Sequence, residues 1–287
     1  MAAAIDLDAY FRRIGYQGDR TPTLKVLQAV HLCHAQAIPF ENLDPLLGRA
    51  VQLDPPSLER KLIHESRGGY CYEHNLLLRH ALEGLGFHVK GLAARVLWNR
   101  TDAAIPAGTH MLLQVDVEGE DHLADVGFGG QTLIGPLRLA PGVVQQTPHE
   151  PHRLVPAGHD LVLESLIRES WRPVYRFDLA ERYQSDYELV SWYLSHHPRS
   201  IFINGLLAAR PVPGRRYALL DNTLAVHTLD GRTERRTLRT ADELRAVLEG
   251  LFKLKLPVGA DLDATLERLA SKPAESMMRP ETKPAET

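Results

Sequence analysis

The sequence predicts an α+β protein, because its three parts carry different hydrophobic periods. Residues 6–86 repeat their apolar side chains at helical spacing, whereas residues 87–180 consist of β-rich runs divided by glycine, proline and charged turns. After residue 180 the two signals alternate. We therefore expect a helical domain at 1–86, an antiparallel β-sheet or β-barrel domain at 87–180, a mixed α/β domain at 181–271 and a disordered tail at 272–287.

Caps and breakers indicate where the helices of the first part begin and end. Thr21 is expected as an N-cap with Pro22 at the first helical position, and further helices are expected at about 56–65 and 71–83. Before Gly15, which should end the first helix, one apolar stripe is formed by Leu7, Tyr10, Phe11 and Ile14.

Composition and charge exclude several classes of protein. The chain has 287 residues and a net charge of -3, so it lacks the basic footprint of a nucleic-acid-binding protein. No stretch approaches the roughly 20 apolar residues that span a bilayer, and the N-terminus is acidic where a signal peptide is basic. Two cysteines without zinc-ligand spacing predict neither a disulfide framework nor a metal site. We expect a cytoplasmic protein, monomeric or homodimeric, that binds small molecules.

One of the two cysteines, Cys71, stands where a thiol becomes reactive. It opens a predicted helix, whose unpaired amides and positive dipole end stabilise a thiolate and are expected to bind an oxyanion. Gly68 and Gly69 precede it, and we expect them to let the chain turn and a substrate carbonyl approach the sulfur. Cys33, in the middle of a helix, is expected to be an apolar core residue.

A thiol nucleophile needs a base, and position must select one among 14 histidines. His110 opens the apolar run HMLLQVDV directly after a loop, where a sheet holds side chains at its mouth. Asp125 lies in the apolar run HLADVGF, where an unpaired carboxylate is costly, so it is expected to orient His110. His74 is expected near the surface of the first turn after Cys71.

The turn between the two runs decides whether these side chains meet. If residues 116–119 form a type I turn, His110 lies directly opposite Asp125. If instead Gly119 and Glu120 form the loop, Asp125 lies roughly 13 Å farther along the strand. Both registers place the pair on one face of the sheet, and the sequence leaves the register open.

Four sequence blocks occur in order: IPFENL (38–43), RGGYCYEHN (67–75), the segment from Thr109 to Gly130, and HPRSIFINGLLAAR (197–210). Together they resemble the arylamine N-acetyltransferase family. Vertebrate members insert a segment before the last third of the chain, and no such segment is visible here, so the resemblance is to bacterial members. The Cys-His-Asp triad of that family maps onto Cys71, His110 and Asp125.

The resemblance implies a helical domain, a β-barrel and a smaller α/β lid around a papain-like catalytic core. It also implies acetyl-CoA as co-substrate, no permanently bound cofactor, and a ping-pong reaction. In that reaction Cys71 takes the acetyl group as a thioester and passes it to an arylamine, hydrazine or N-hydroxyarylamine. His110 then holds the thiolate as an imidazolium and removes the proton of the amine, while Asp125 orients the ring.

Candidate contacts to the two substrates are weaker predictions. The glycine-rich segment Gly127, Phe128, Gly129 and Gly130 is expected to let the pantetheine or a phosphate of acetyl-CoA approach the backbone. Four aromatic residues are candidates for lining an acceptor pocket, although a role in core packing is equally expected for them: Phe40, Tyr70, Tyr72 and Phe128.

Charged and amide side chains near the triad are expected to be structural. Arg67, Glu41 and Glu73 are expected to pair and hold the helix of Cys71 against the barrel, and Asn42 and Asn75 are expected as turn or cap groups.

Two other interpretations remain open from the sequence. The same triad serves a transglutaminase-like enzyme, an amide synthase or a thiol hydrolase, and a non-catalytic binding module can keep the fold with an ordinary thiol.

Overall fold

The computed structural model describes residues 5–100 and 104–273, and it confirms the predicted α+β class. Helices dominate up to residue 84, and two antiparallel sheets contain the strands. The helices are α1 (Leu7–Ile14), α2 (Leu24–Ala37), α3 (Leu43–Leu46), α4 (Pro55–Leu58), α5 (Cys71–Gly84), α6 (Gln184–His196), α7 (Ile201–Asn204), α8 (Ala241–Gly250) and α9 (Ala260–Ala270). The predicted domain boundaries at 86, 180 and 271 remain a prediction.

The start of α2 differs from the prediction. Its N-cap is Thr23, whose hydroxyl oxygen accepts the amide of Val26 at 3.4 Å. Thr21 belongs instead to the preceding loop, where its hydroxyl donates to Asp19 Oδ1 at 3.1 Å. The prediction of Thr21 as cap, with Pro22 as the first helical residue, was therefore wrong because Thr21 is engaged on the side away from the helix.

Two other helix predictions are met more closely. The helix expected at 56–65 consists of α4 followed without a break by a π-helical segment, Glu59–His64. The helix expected at 71–83 is α5, which begins at Cys71. Gly15 ends α1 in the left-handed conformation, with φ 70°, as predicted for a glycine C-cap.

Residues 88–177 form an eight-stranded antiparallel sheet in the order β5-β4-β3-β2-β9-β8-β7-β6. The strands are β2 (His88–Val96), β3 (Gly108–Val117), β4 (Glu120–Ala124), β5 (Leu137–Arg138), β6 (Val144–Gln145), β7 (His152–Ala157), β8 (Asp160–Ile167) and β9 (Ser170–Phe177). The two edge strands come together, because the side-chain amide of Gln145 exchanges two hydrogen bonds of 2.8 Å with the backbone of Arg138. The sheet is therefore a nearly closed barrel, packed inside with leucine and aromatic side chains.

The second sheet combines distant parts of the chain. Its strands are β1 (Phe40–Glu41), β10 (Leu207–Val212), β11 (Arg215–Leu220), β12 (Thr223–Thr228) and β13 (Thr233–Thr237). Phe40 pairs with Ala209, so a strand from the helical part completes the C-terminal sheet. Leucines of α8 and α9 form one apolar cluster with those of β11 and β12.

Asn42 strengthens this connection. Its side-chain amide donates to the carbonyl oxygens of Phe202 and Gly205, both at 2.7 Å, and accepts the amide of Leu207 at 2.7 Å. It stands at the N-cap position of α3 but makes no capping bond there. The expectation of a local turn or cap group was wrong, because its polar atoms bond to residues 160 to 165 positions away in the sequence.

The hairpin of β3 and β4 adopts neither of the two registers considered above. Val117 pairs with Glu120, so the turn consists of Glu118 and Gly119 alone. Their φ angles are 57° and 84°, as a two-residue type I′ turn requires. This turn matches the strand twist, whereas a type I turn splays the strands. Leu113 then pairs with Ala124, which shifts both predicted alignments by two residues.

Within the described parts of the chain, no helix has the length and apolarity needed to cross a membrane. Of the predicted tail, Lys272 is held in place, because its Nζ lies 2.8 Å from Asp221 Oδ2. Residues 274–287 lie outside the described residues.

Candidate active site

Cys71 is buried at the first position of α5, beside the start of β3. Its side chain is 4% exposed, and its Sγ lies 3.8 Å from the carbonyl oxygen of Thr109. The start of the helix is held by Glu73, whose Oε2 accepts the amide of Tyr70 at 3.0 Å. The sulfur thus stands at the positive end of a fixed helix.

His110 and Asp125 meet next to this sulfur. The ring atom Nε2 of His110 lies 2.7 Å from Asp125 Oδ2, and both side chains are buried. The Cys71 side chain also raises the pKa of His110, and Asp125 leaves the second ring nitrogen of His110, Nδ1, unused. The structure therefore brings together the three residues predicted for the triad, in the order nucleophile, base and orienting carboxylate.

The electrostatics favour a charged pair. Burial alone lowers the pKa of His110, but the charge of Asp125, the hydrogen bond to Asp125 and the neighbouring Cys71 overcome this and raise it above its ordinary value. Burial alone raises the pKa of Asp125, but His110, Asn75 and the amide of Gly127 lower it. The histidine is held as an imidazolium and the aspartate as a carboxylate.

Asn75 holds Asp125 in place. Its Nδ2 donates to Asp125 Oδ1 at 3.0 Å and to the carbonyl oxygen of Met111 at 2.7 Å, while its Oδ1 accepts the amide of Val126 at 3.1 Å. The amide of Gly127 adds a bond of 2.9 Å to Asp125 Oδ1. The expectation that Asn75 serves as a cap or turn group was wrong, since it joins α5 to β3 and to the carboxylate.

Gly68 and Gly69 are required by packing inside the protein. A Cβ on Gly68 would lie 2.1 Å from the carbonyl oxygen of Pro39, and one on Gly69 would lie 2.6 Å from Glu73 Oε2. The space that we expected to admit a substrate carbonyl is thus occupied by the chain itself. Their role here is to let Pro39 and Glu73 approach the helix start.

Gly127 has a similar role, next to Cys71 and Asn75. A Cβ there would lie 2.8 Å from the Cα of Cys71 and 2.9 Å from Nδ2 of Asn75. The segment that carries Asp125 therefore rests directly on the first turn of α5.

The rest of the glycine-rich segment lies around the histidine. The ring of Phe128 meets that of His110 edge-on, with centroids 5.0 Å apart. Gly129 has φ 77°, and its α-carbon faces the ring of Phe40. A Cβ on Gly130 would have no atom within 4 Å, so the backbone there is open to a ligand. The predicted contacts of these residues with acetyl-CoA remain a prediction.

The predicted aromatic residues divide into two groups. Tyr70 and Tyr72 are almost fully buried, and the Tyr70 hydroxyl is hydrogen-bonded to Ser191 Oγ. Phe40 is 9% exposed, and its ring lies 6.3 Å from that of Phe202, which also contacts the ring of Tyr70 at 5.5 Å. Tyr70 and Tyr72 thus pack beneath the site, and an acceptor role for Phe40 remains a prediction.

Two neighbours of the triad were missed. The ring of Tyr175 lies 5.2 Å from that of His110 and 5.3 Å from that of Phe128. His31 Nε2 accepts the amide of Asp125 at 3.2 Å. No local signal marks either residue, because their positions depend on the pairing of β9 with β2 and on the packing of α2.

A group of five charged side chains, the buried charge cluster, lies at the other side of α5. Its members are Glu41, Asp44, Lys61, Arg67 and Glu73. Arg67 binds Glu41 at 2.8 Å and Asp44 at 3.0 Å, and Lys61 binds Asp44 and Glu73, both at 2.6 Å. The expected pairing of Arg67 with Glu41 is present. The cluster, however, ties α5 to α3 and the π-helical segment, so the expectation that it holds the helix against the barrel was wrong.

Glu73 is the member whose ionisation costs most. Burial raises its pKa to about 7, aided by Asp44 and Glu41 and opposed by Lys61. Three carboxylates face two cations in the cluster, which leaves one negative charge uncompensated when all five are ionised.

His74 is fully buried, so its predicted surface position was wrong. Its Nε2 lies 3.1 Å from the carbonyl oxygen of Pro39, and its Nδ1 lies 3.1 Å from His34 Nε2. His34 Nδ1 in turn lies 2.9 Å from the Tyr10 hydroxyl. The first turn of α5 faces α2 here, and burial lowers the pKa of His74 to about 4, so this chain of rings is neutral.

Cys33, the other cysteine, differs from Cys71 in its surroundings. It is half-buried in α2 and packs against the core, as expected of an apolar residue, though less completely. Burial raises the pKa of its thiol.

The chain is similar in sequence and in structure to arylamine N-acetyltransferases. A family model described as N-acetyltransferase matches residues 23–261. An arylamine N-acetyltransferase of Mycolicibacterium smegmatis is 46% identical over 91% of this chain and 97% of its own length, and one of Escherichia coli is 43% identical over 86% and 88%. Among solved structures, Mycobacterium marinum arylamine N-acetyltransferase in complex with CoA has a TM-score of 0.89 at 42% identity, covering 92% of this chain and 99% of that one.

Proposed function

Because the chain belongs to the arylamine N-acetyltransferase family and is thus an acetyltransferase, we propose that it moves an acetyl group from acetyl-CoA to an arylamine, hydrazine or N-hydroxyarylamine. We propose that the group passes through a thioester on Cys71. The observation that supports this most is the buried pair of His110 and Asp125, whose Nε2 and Oδ2 atoms lie 2.7 Å apart beside Cys71 at the start of α5. A thiol beside such a base can act as the nucleophile of acyl transfer.

The first half-reaction exchanges one thioester for another. The Cys71 thiolate attacks the acetyl carbonyl carbon, and the carbon–sulfur bond to CoA breaks. The departing CoA sulfur takes the proton of the His110 imidazolium, which leaves the histidine neutral. Since both the bond formed and the bond broken are thioester bonds, this step is nearly balanced in free energy.

The second half-reaction reverses the roles of His110. The amine nitrogen attacks the acetyl-cysteine carbonyl, and neutral His110 removes a proton from that nitrogen. Cys71 leaves as a thiolate beside the restored imidazolium. Asp125 keeps the ring in place through both steps and stabilises its charged form.

The positions of the two substrates follow from the same site. Gly130, with its open backbone, is the proposed approach for acetyl-CoA, and the M. marinum relative was solved with CoA. Phe40 and Phe128, on either side of Gly129, are the proposed aromatic wall for the acceptor. Both substrates then reach the sulfur from the side of residues 128–130.

The test is to mix the protein with acetyl-CoA alone and to measure its intact mass. We expect a gain of one acetyl group, which is lost in Cys71→Ala and retained in Cys33→Ala, the matched control. Added arylamine should then remove the group and yield the acetylated amine. The proposal fails if the wild-type protein gains no acetyl group or if Cys71→Ala gains one as readily. Rapid release of acetate without an acceptor would point instead to the hydrolase alternative.

A further inference from the structure

His31, in the middle of α2, is a buried histidine that the proposed chemistry does not use. Its side chain is fully buried, and its Nε2 accepts the amide hydrogen of Asp125 at 3.2 Å. Within the described parts of the chain, its other ring nitrogen, Nδ1, has no hydrogen-bond partner. A buried polar group without a partner costs stability. The bond to Asp125 is therefore the contact that offsets this cost.

The amide of Asp125 lies just beyond the end of a strand. The pairing of β4 with β3 ends at Ala124, so Asp125 is the first residue after the ladder. Nearly all buried backbone amides of folded proteins have an acceptor, because an unpaired one is costly. His31 supplies this acceptor from a helix 94 residues earlier in the chain. The main chain at Asp125 is thus anchored to α2.

The side-chain oxygens of Asp125 are held by other residues. Its Oδ1 accepts from Nδ2 of Asn75 and from the amide of Gly127, and its Oδ2 lies 2.7 Å from Nε2 of His110. The direction of a carboxylate depends on where its Cα stands as well as on the contacts of its oxygens. His31 holds the main chain at Asp125 itself, so its loss should move Oδ2 relative to His110.

The ring of His31 is neutral and carries its proton on Nδ1. Its Nε2 accepts the amide of Asp125 only while that nitrogen is unprotonated. Burial lowers the pKa of His31 to about 4, against the opposing effect of Asp125. Burial also lowers the pKa of His34, the ionisable group one turn farther along α2. His31 therefore offers an acceptor without placing a second cation beside the carboxylate that holds His110.

We propose that His31 is a positioning residue for acetyl transfer, whose neutral ring holds the main chain of Asp125 so that Oδ2 stays aligned with His110. It acts through Asp125, and this role rests on the function proposed above. A purely structural role predicts a change of stability alone. A positioning role also predicts a change in how firmly His110 and Asp125 hold the thiolate of Cys71.

The pH dependence of Cys71 alkylation by iodoacetamide measures that hold without any acetyl transfer. The reaction is followed on the Cys71 peptide by mass spectrometry. His31→Leu fills the space but offers no acceptor, and we expect it to raise the midpoint of the profile by about one pH unit. The rate below the midpoint then falls about tenfold. The kcat/KM for arylamine acetylation should also fall about tenfold, as for other residues that orient a functional group.

A rescue variant and a matched control separate positioning from packing. His31→Gln places an amide oxygen, Oε1, about where Nε2 of the histidine stood, so its profile should return to that of the wild type. Val30→Ala alters the neighbouring buried residue of α2 and removes no acceptor. It should lower the free energy of unfolding in a denaturant titration and leave the alkylation midpoint unchanged.

Nitrogen-15 NMR of the imidazole rings tests the assignment in the unsubstituted chain. We expect His31 to carry its proton on Nδ1 at neutral pH, and a proton on Nε2 overturns the proposal. It is also overturned if His31→Leu keeps the wild-type profile, if His31→Gln is no better than His31→Leu, or if Val30→Ala shifts the midpoint as far. An ordinary thiol profile for Cys71 in the wild type instead overturns the proposed function, and the positioning role with it.

Discussion

Two groups of buried charges contact α5, and they differ in what their charges are free to do. In the buried charge cluster, each cation is bound by two carboxylates, and the ion pairs end there. At the candidate active site, a single pair, His110 and Asp125, leaves the second ring nitrogen of His110 unused beside Cys71. The first group fixes where the helix begins, and the second holds a proton where a reaction can use it.

The difference teaches which perturbations should affect chemistry and which should affect folding. Substitutions in the His110–Asp125 pair should change activity, because they alter the orientation and the charge of the unused ring nitrogen of His110. A closed network changes stability instead, because the loss of one member leaves buried charges uncompensated.

The largest expected effect is on the pair of His110 and Asp125. Asp125→Asn keeps the shape of the side chain but removes the charge that holds His110 as an imidazolium. We expect kcat/KM for arylamine acetylation to fall by about a thousandfold or more, as for the carboxylate of other triads. The control is Asp121→Asn, an exposed residue on β4, which should retain activity. Wild-type turnover in Asp125→Asn would contradict the assignment.

Next in size is the effect of opening the closed network. Arg67→Ala leaves Glu41 and Asp44 buried with less compensation, and we expect it to lower the free energy of unfolding by about 3–5 kcal/mol. Denaturant titration measures this. As a control, Arg232→Ala breaks an exposed pair with Asp230 and should cost less than about 1 kcal/mol. An equal cost for the two variants would mean that the cluster is no stronger than a surface pair.

A smaller effect on activity is expected at Gly127, which lies against the first turn of α5. Gly127→Ala places a methyl group 2.8 Å from the Cα of Cys71, so the loop or the helix must move. We expect kcat to fall roughly 10- to 100-fold, because small misplacements of reacting groups are costly. Gly250→Ala, at a position with open space and ordinary φ, should leave kcat unchanged. Full activity in Gly127→Ala would show that this contact does not position the nucleophile.

The smallest effect is a change in pH dependence. Since the folded pKa of Glu73 is about 7, above its ordinary 4.5, the folded state binds the extra proton in that window, and stability falls as pH rises through it. Glu73→Gln should flatten the unfolding free energy between pH 4.5 and 7, whereas the exposed Glu65→Gln should not. Identical pH slopes in wild type and Glu73→Gln would contradict the raised pKa.

The candidate site was predicted best where its signals are local. The glycines and the apolar period correctly predicted that a helix begins at Cys71. The contact between His110 and Asp125 was also predicted correctly although the register was wrong, because both registers considered keep the two side chains on one face of the sheet. The turn itself was misassigned, since Glu118 in a left-handed conformation is unusual for a residue with a side chain.

The residues that could not be placed from the sequence are those whose positions depend on contacts with distant segments of the chain. His74 was placed at the surface because its own helix says nothing about where α2 lies. Asp44 and Lys61 carry no signal that distinguishes them from solvated charges, and their role appears only when α3 and the π-helical segment meet at α5.

The pairing of β1 with β10 also constrains the order of events during synthesis. Phe40 and Ala209 are 169 residues apart, the difference of their positions. At roughly 5–20 residues per second, β1 waits about 10–30 seconds for its partner to leave the ribosome. During that time Pro39, Phe40 and Glu41 lack the sheet that later fixes them, so the nascent chain contains Cys71 long before the site around it can be complete.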